Sequence, residues 1–429
     1  MTPEVKQRIE QIRQGIVPEG YVKDKDGIYP RDWASKKIGQ WLKLAERSIV
    51  LQDEEEYQLV TIRRGFGGVD SRGSFLGKNV LVKNYFIVKT GDFIISKRQI
   101  AHGACGIVLP ELDGAVVSNE YNVFLPQDGT NIQMFNLMMQ LPHYKRLFYL
   151  MSDGVHIEKL LFKTQDWMKR TLAMPLLKEQ KKIAEILSTQ DKAIELQGRK
   201  IEELKRFKKG CLEKMFPRKG QKVPEKRFPG FTDDWEQRKL SEITDKVTEK
   251  NAGLQYVETF TNSAEFGIIS QRDFFDHDIA KLGSLDGYYI VKNEDFVYNP
   301  RISTSAPVGP INRNKLGRTG VMSPLYTVFR PHDIDTTYLE YFFKCGYWHS
   351  FMNFNGDSGA RSDRFSIRDN VFFQMPIPIP DIDEQRKIGE LLTCLDNLIT
   401  LHQRKLEEMK NQKKALMQLL LTGIVRVRL

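Results

Sequence analysis

The chain contains one long, charged segment twice, and this repeat constrains the fold more than any other feature of the sequence. The first copy opens at Pro175 and the second at Pro380, 205 residues later, and each places a Glu-Gln pair four residues on. Of the 35 residues from 175 to 209, 17 are identical to their counterparts in the second copy. Chance similarity between two helices does not preserve so many positions in one gapless register. The sequence therefore predicts an internal duplication.

Both copies are predicted to be long helices. Apolar residues recur in each at spacings of three, four and seven, and the other positions are mostly Lys, Arg, Glu and Gln, which favour helix. Pro217 ends the first helix and Gly423 the second. Neither helix can bury its apolar stripe alone, so we expect the stripes to pack on each other, whether or not they also hold a partner. The expected packing residues are Ile183, Leu187, Ile194, Ile201 and Leu204 in the first helix and Ile388, Leu392, Ile399, Leu406 and Met409 in the second.

The residues that precede each helix repeat as well. Asp-Trp at 32–33 returns at 234–235, and the strand-like sequence at 85–89 returns at 288–292 with one change. We expect both tryptophans to be core anchors. Short apolar runs between Gly, Asn and Asp predict strands in the first half, and a helical period predicts a helix over 131–150. The predicted strands are 57–62, 80–88, 92–96, 105–109 and 121–125. The sequence thus predicts an α+β fold in which a β-rich domain and a long helix occur twice.

Segment boundaries follow from the repeats and from a basic linker that is poor in apolar residues. Loops between the shared strands differ between the halves, as expected of a binder of two targets and equally of neutral loop drift. The predicted segments are an N-terminal helix and connector at 1–19, a first domain at 20–174, a first long helix at 175–216, a linker at 217–230, a second domain at 231–379, a second long helix at 380–422 and a tail at 423–429.

Net charge indicates the class of partner, and cysteine spacing indicates the redox environment. The 429 residues include 65 Lys and Arg against 55 Asp and Glu, so the net charge is +10 and the pI is about 9.2. A basic balance favours an acidic partner, nucleic acid first, although a basic protein without a polyanion partner has the same composition. The four cysteines lack CxxC spacing and are expected to be buried thiols in a reducing cytoplasm. No apolar run approaches the length of a membrane span.

Motifs of nucleotide and cofactor chemistry are missing from the sequence. It has no Walker A loop and no GxGxxG that opens a helix after a strand, and the Gly-Phe-Gly-Gly at 65–68 is interpreted as a turn. The Tyr-Asn-Pro-Arg at 298–301 lacks the second proline and the aromatic residue of the loop that DNA amino-methyltransferases place at the target base. The seven histidines show no metal-ligand spacing. We therefore expect no catalytic, cofactor-binding or metal-binding residues in this chain.

The arrangement resembles the specificity subunit of type I restriction–modification systems. Two copies of Pro-x-x-x-Glu-Gln-x-x-Ile open long Lys-rich helices, each after a Trp-led β-rich domain, and together they span essentially the whole chain. The resemblance implies two target-recognition domains separated by two antiparallel helices, with pseudo-two-fold symmetry. Each domain would recognise one half of a bipartite, asymmetric site in double-stranded DNA. The helices would dock two methyltransferase (modification) subunits, which bind S-adenosylmethionine and methylate adenine. Restriction (motor) subunits that use ATP and Mg would join them.

Two alternatives remain at this point. A single-chain methyltransferase and nuclease is disfavoured because its cofactor motifs are missing. A free-standing DNA-binding or scaffold protein without a methyltransferase partner has the same sequence features, and co-purification with a methyltransferase subunit would distinguish the two.

Candidate DNA contacts are polar and basic residues of the loops that differ between the halves. Arg suits guanine and Gln suits adenine, whereas most Lys and Arg contacts reach phosphates. Arg98 and Arg301 are the strongest candidates because they occupy equivalent positions just past a strand, which favours phosphate contact or a structural role. For each candidate the alternative is a solvated surface charge. The candidates are Arg63, Arg64, Arg72, Lys97, Arg98, Gln99 and His102 in the first domain and Gln271, Arg272, Arg301, Arg313, Arg318, Arg361 and Arg364 in the second.

Overall fold

The structure is a computed structural model that describes residues 2–24, 27–154, 160–218, 220–274, 282–357 and 363–427. The chain divides into two compact units. The first unit comprises Met1–Gln197 with Lys405–Leu429, and the second comprises Gly198–Arg404. Each unit therefore holds one half of the repeat, the first part of its own long helix and the last part of the other. This division differs from the predicted segments, in which each long helix stands alone.

The first unit is built from short strands and short helices that lead into a long helix. Its helices are α1 (Pro3–Arg13), α2 (Ile38–Trp41), α3 (Ile132–Met139), α4 (Pro142–Leu150), α5 (Thr164–Met168) and the part of α6 (Leu177–Lys214) up to residue 197. Its strands are β1 (Tyr21–Asp24), β2 (Gly27–Pro30), β3 (Ala34–Lys37), β4 (Leu42–Leu44), β5 (Ser48–Val50), β6 (Glu56–Ile62), β7 (Val69–Leu76), β8 (Asn84–Ile87), β9 (Phe93–Ser96), β10 (Cys105–Ile107), β11 (Val116–Ser118), β12 (Tyr121–Pro126), β13 (Ser152–Asp153), β14 (Leu161–Phe162) and β15 (Thr171–Met174). They form a four-stranded sheet in the order β10-β9-β12-β4, a five-stranded sheet in the order β5-β8-β11-β6-β7, and the pairs β1-β2, β3-β15 and β13-β14.

The second unit follows the same plan with shorter sheets. Its helices are α7 (Gln271–Phe274), α8 (Thr336–Cys345), α9 (His349–Asn355), α10 (Asp369–Phe372) and the part of α11 (Ile382–Leu421) up to residue 404. Its strands are β16 (Glu236–Lys239), β17 (Thr244–Lys246), β18 (Phe260–Ser263), β19 (Gly267–Ser270), β20 (Tyr289–Val291), β21 (Phe296–Tyr298), β22 (Ile311–Arg313), β23 (Gly320–Met322), β24 (Thr327–Pro331) and β25 (Pro376–Ile379). They form a four-stranded sheet in the order β22-β21-β24-β17 and the pairs β16-β25, β18-β19 and β20-β23.

The duplication is visible in the strand order. The sheet β10-β9-β12-β4 of the first unit corresponds strand for strand to β22-β21-β24-β17 of the second. The parallel pairing of β6 with β11 returns as a parallel bridge between Thr259 and Val321. Trp33 and Trp235 are 5% and 3% exposed, so both are core anchors as predicted. The predicted tandem α+β duplication is confirmed.

Aromatic side chains fill the core of each unit beneath the four-stranded sheet. In the first unit, the rings of Phe93 and Phe135 meet edge to face with their centroids 5.3 Å apart. In the second unit, the rings of Phe296 and Phe329 stack at 5.6 Å. Residues of both long helices join each core, so the helix ends are held by burial as well as by their own hydrogen bonds.

Within each unit, the two long-helix segments run antiparallel. In the first unit, Asp191 of α6 forms an ion pair with Lys413 of α11 (Oδ1 to Nζ, 2.5 Å), while Leu420 packs in the core near the start of α6. In the second unit, Lys208 of α6 pairs with Asp396 of α11 at the same distance. The two pairs are equivalent under the 205-residue offset. Polar groups at matched seam positions therefore favour one register of the two helices.

Of the ten predicted packing residues of the long helices, six are buried and four are half-buried. The first long helix, Leu177–Lys214, begins two residues after and ends two residues before its predicted bounds of 175–216. The buried members are Ile183, Leu187, Ile201, Ile388, Leu392 and Ile399, and the half-buried ones are Ile194, Leu204, Leu406 and Met409.

Two predictions of local structure differ from the fold in detail, and strand β7 lies outside all the predicted strands. Of the strand predicted at 80–88, only 84–87 is a strand. The helix predicted over 131–150 is two helices, because Pro142 has no N–H with which to continue α3 and instead opens α4. Strand β7 was not predicted, since it buries few side chains and is held by its long pairing with β6.

The glutamine of the repeated Glu-Gln pair joins the start of each long helix to its own domain. The side-chain oxygen of Gln180 accepts a hydrogen bond from the backbone N–H of Asn131 (2.8 Å), and Gln385 accepts one from Asp335 (2.9 Å). Each glutamine also donates to the carbonyl of the proline that opens its motif, at 2.7 and 2.9 Å. Both side chains are buried, so each hydrogen bond satisfies a group that has no access to water.

The glutamate of the pair is a buried carboxylate. It is neutralised by an arginine that follows the other long helix in the sequence. Glu179 is 3% exposed and receives two hydrogen bonds from Arg426, both of 2.7 Å. Glu384 is 1% exposed and receives two from Arg227, of 2.9 and 2.7 Å. We call each arrangement an arginine clamp. The repeated motif thus has a structural role: it holds each domain to the ends of both long helices.

Candidate nucleic-acid interface

In the first unit, the end of β9 borders a polar depression that we call the first cleft. Its volume is about 680 Å³, and it lies between the end of β9, the turn before β12 and helix α5. Arg98 stands beside it and forms an ion pair with Glu120 (Nε to Oε2, 2.6 Å), and both side chains are about half exposed. The charged and amide lining residues include Lys97, Asn119, Glu120, Asn122, Lys163 and Gln165.

In the second unit, the end of β21 borders the second cleft, which has a volume of about 470 Å³. Three tyrosines line it, and burial raises the pKa of Tyr298, whose hydroxyl donates to the carbonyl of Val308 at 2.9 Å. The tyrosine therefore stays neutral at ordinary pH. The aromatic and charged lining residues include Lys246, Tyr289, Tyr298, Tyr326, Arg364 and Asp369.

Arg301 lies beside the second cleft, next to Arg364. Its segment is held there by two backbone hydrogen bonds between 300–302 and 363–365, of 3.1 and 2.8 Å, and the two arginines face each other across an antiparallel bridge. The Arg301 side chain is exposed and has no hydrogen bond or ion pair with the described residues. Arg364 contacts Asp363 at 3.8 Å. Cβ atoms opposed across an antiparallel bridge lie about 5 Å apart, so the two arginines are close enough to bind one anion together.

The two clefts share a frame but not a lining. Lys97 of the first cleft corresponds to Pro300 of the second, and Glu120 corresponds to Leu325. The strands around them are the matched strands of the duplicated sheet. One backbone arrangement thus presents a mostly charged and amide surface in the first unit and a tyrosine-rich surface in the second.

Two loops bring four other candidates of the first domain together. The turn after β6 carries Arg63 and Arg64, and the turn after β9 carries Gln99 and His102. The backbone N–H of Gly65 donates to the carbonyl of His102 at 2.7 Å and joins the turns, which we call the paired loops. The Gln99 side-chain oxygen has no hydrogen-bond partner among the described residues. The paired loops therefore gather two guanidinium groups, an amide acceptor and an imidazole.

Gly103→Ala is expected to separate the paired loops. Gly103 has a φ of +75°, and a Cβ at this position would lie 3.0 Å from the ring of Phe66. We expect a loss of stability of at least about 1 kcal/mol, because alanine is strained at positive φ, and weaker binding of DNA because Phe66 must move. Urea unfolding and fluorescence anisotropy with labelled duplex would measure the two effects. Gly114→Ala is the matched control, since its φ is +79° and no atom lies within 4 Å of its Cβ. Equal DNA affinity of the two variants would contradict the expectation.

The remaining candidates of the two domains stand in different surroundings. Arg72 is exposed on β7, and Arg63 forms an ion pair with Asp70. Arg318 donates two hydrogen bonds to Glu258, of 2.8 and 2.7 Å, and these lower the pKa of that carboxyl. Gln271 and Arg272 open helix α7, away from the lining of the second cleft. Arg361 lies outside the described residues.

The expectation that Arg313 contacts DNA is corrected by its burial. Its side chain is 8% exposed and pairs with Glu294 at 2.9 Å and with Glu340 at 2.6 Å. Burial alone would raise the pKa of Glu340, but the neighbouring cations, with Lys344 foremost, outweigh it and lower that pKa. Arg313 therefore neutralises acids inside the fold and offers no group to a ligand at the surface.

Sequence reasoning missed most of the residues that line the clefts. Asn122 and its counterpart Thr327 lie in matched strands, one residue after the repeated Tyr121 and Tyr326. The available signal was a difference between the halves inside an otherwise repeated strand. Differences in loops are common and carry less information.

The cysteine side chains differ in their exposure. Cys105 is buried, which raises the pKa of its thiol, whereas Cys211 and Cys345 are half-buried and Cys394 is exposed. The expectation of four buried thiols is therefore met in full only by Cys105. Across the described ranges, no three His, Cys, Asp or Glu side chains are grouped to hold a metal ion. In those same ranges, no helix is both long and apolar enough to cross a membrane.

Comparison with solved structures identifies relatives of this fold. The HsdS subunit from Thermoanaerobacter tengcongensis superposes with a TM-score of 0.52 at 16% sequence identity, covering 92% of this chain and 98% of that one. A chain from a structure of complex assembly and conformational transition of the type I restriction–modification system gives a TM-score of 0.56 at 17% identity, covering 92% and 99%. At these identities the likeness shows a shared fold.

Sequence comparison identifies the family. The type I restriction enzyme MjaVIII specificity subunit of Methanocaldococcus jannaschii is 24% identical over 426 residues, covering 93% of this chain and 94% of that protein. The family described as the type I restriction modification DNA specificity domain matches twice, at residues 30–206 and 232–411. Since these two matches take in both halves of the duplication, the chain belongs to the type I restriction–modification DNA specificity family.

Proposed function

We propose that this chain is the DNA-recognition subunit of a type I restriction–modification complex and that each unit recognises one half of a bipartite, asymmetric DNA site. The observation that carries the proposal is the pair of equivalent clefts with different linings. Two identical linings on a duplicated frame would recognise the same half-sequence twice. Two different linings on that frame are suited to two different half-sequences, and family membership supports DNA as the ligand.

The shared and unshared residues of the clefts have separate proposed roles. Arg98 and Arg301 occupy equivalent positions, and contacts that are common to both halves carry no sequence information, so we assign them to phosphates. The linings are assigned to bases. Lys97 suits guanine and Asn122 suits adenine, whereas the tyrosines of the second cleft suit apolar contact with a thymine methyl group. The net charge of +10 adds attraction that salt screens.

The long helices are proposed to dock two modification subunits. Leu196 of α6 is 58% exposed and Leu401 of α11 is 62% exposed, and the two are equivalent under the 205-residue offset. A groove of about 540 Å³ lies beside Leu401 and is also lined by Leu398. Exposed apolar side chains at matched places on two copies of one helix suit two copies of one partner. S-adenosylmethionine is assigned to those partners, and ATP and Mg to restriction subunits, so this chain is proposed to be non-catalytic.

Mapping methylated adenines tests the proposal. The chain is co-expressed with the modification subunit of the same system in a host without other methylation, and the modified positions are sequenced. We expect one bipartite, asymmetric sequence, and no methylation when either protein is expressed alone. A palindromic or continuous site would contradict the proposal. The double variant Leu196→Asp with Leu401→Asp is expected to abolish co-purification of the modification subunit.

A further inference from the structure

An aromatic cavity in the second unit stands apart from the second cleft. It has a volume of about 620 Å³ and lies between the start of the linker and helices α8 and α9. We call it the open cavity. Phe354 lines it and is 84% exposed, whereas Trp348 beneath it is 3% exposed. Phe354 is continuous with the other aromatic lining residues Phe342, Tyr347, Trp348 and Phe351, and a contiguous apolar patch of this kind is suited to binding a partner.

The first unit has an equivalent cavity of about 260 Å³. The main difference is that the hairpin of β1 and β2 forms one of its walls with Ile28 and Tyr29. Tyr29 packs against the core of this unit and donates from its hydroxyl to Asp24 at 2.9 Å. Three lining residues of the open cavity have equivalents in this one: Phe342 corresponds to Met138, Tyr347 to His143 and Trp348 to Tyr144.

The second unit lacks such a hairpin in the described part of its linker. Residues 217–218 and 220–235 contain no strand, and they place Arg218 and Lys222 at the edge of the open cavity. Lys222 forms an ion pair with Asp234 at 2.9 Å. Arg218 is exposed, and no ion pair of its side chain is found among the described residues. The edge is therefore basic, while the wall is aromatic.

We propose that the open cavity binds an extended segment of a partner subunit that presents an aromatic side chain and a neighbouring acid. The first unit supplies the precedent, because there the chain covers the equivalent cavity with its own tyrosine and an aspartate on the same hairpin. The aromatic side chain packs on Phe354 and Trp348, and the acid pairs with Arg218. The proposal rests on the proposed function only in taking the partner to be a subunit of the same complex. Since only one unit leaves this cavity open, one partner segment binds per chain.

Photocrosslinking in the assembled complex tests the occupant. The chain with p-benzoylphenylalanine in place of Phe354 is co-purified with its modification and restriction subunits, irradiated and analysed by mass spectrometry. We expect crosslinks to one partner peptide that contains an aromatic residue and an acid. Crosslinks to DNA, crosslinks within this chain alone, or no crosslink in an intact complex would each overturn the proposal.

Affinity measurements supply a matched comparison. Phe354→Ser is expected to weaken binding of the crosslinked partner about tenfold, because a central aromatic anchor is lost. Leu150→Ser is the control: Leu150 occupies the equivalent position in the first unit, is 59% exposed and does not line the smaller cavity. Equal affinities of the two variants would overturn the proposal. If no partner co-purifies with any version of the chain, the proposed function fails, and this outcome is distinct from loss of the Phe354 contact alone.

Discussion

Replacing Arg426 with alanine is expected to lower the free energy of unfolding of the first unit by about 3 kcal/mol. The arginine supplies two hydrogen bonds to Glu179, a carboxylate that is 3% exposed. Removing one partner of a buried ion pair leaves the other charge without compensation, at a cost of about 3–5 kcal/mol. The Arg426 side chain is itself 37% exposed, so water can solvate part of the Glu179 carboxylate once the arginine is removed. We therefore expect the lower end of that range.

The second arginine clamp provides the matched variant. Arg227 is 15% exposed and Glu384 is 1% exposed, so Arg227→Ala is expected to cost at least as much in the second unit. Hydrogen exchange followed by mass spectrometry in rising urea would report each unit separately. Lys414→Ala controls for loss of one positive charge, because Lys414 is exposed on α11. Combining Arg426→Met with Glu179→Gln should recover most of the loss. An effect of Arg426→Ala no larger than that of Lys414→Ala would contradict the expectation.

Acid is expected to reduce the difference between wild type and Arg426→Ala. Hydrogen bonds of 2.8 Å from Arg426 hold the pKa of Asp32 below its usual range. A carboxyl whose pKa is lowered by folding contributes stability above its unfolded pKa of about 3.9 and loses it as pH falls through the folded value. The variant lacks this contribution at every pH. The stability gap should therefore narrow below about pH 4, and urea titrations at several pH values would show it.

The long helices could be predicted from the sequence because their signal is local. An apolar residue at every third or fourth position indicates both that the segment is helical and which of its faces is buried. The role of the Glu-Gln pair could not be predicted, although its repetition marked it. Glu179 and Arg426 are 247 positions apart, and neither residue alone indicates the other. Only the antiparallel arrangement of the helix ends within the unit brings them together.

The sequence also could not predict which candidate residues of the interface are exposed. Arg301 and Arg313 are both arginines near strand ends of the second domain, yet one is exposed and the other is 8% exposed among acids. Residue type and loop position do not separate them, because burial is set by strands that are distant in sequence. The clefts are formed from several separate segments each, so their lining emerged only with the fold. What the sequence did provide was the equivalence of Arg98 and Arg301, which located both clefts.

Exchange of residues 34–174 for those of a relative with a different specificity is expected to change one half of the methylated sequence and leave the other half unchanged. The cassette begins and ends on one antiparallel pair, since Ala34 faces Met174 in the pairing of β3 with β15. Its two ends are therefore neighbours, and the exchange does not cut through a sheet. It carries the first cleft and the paired loops with it. Its hydrogen bonds to Gln180 of the long helix use backbone groups, the N–H of Asn131 and the carbonyl of Gly129, which most donor sequences can supply. The donor's core must also pack against apolar residues of both long helices.

A longer cassette, 20–174, is expected to give a less stable protein. It includes Tyr21, which donates to the carbonyl of Gly423 at 2.6 Å, and Asp32, which pairs with Arg426. A relative's residues at these positions meet a C-terminal segment that they do not match, unless residues 421–427 come from the same relative. The comparison separates stability from recognition: 34–174 and 20–174 should give the same new half-sequence, but only the second should need the matched C-terminal segment. Methylation mapping and urea unfolding would measure the two properties. A change in both half-sequences, or in neither, would show that the first unit does not recognise a half-site by itself.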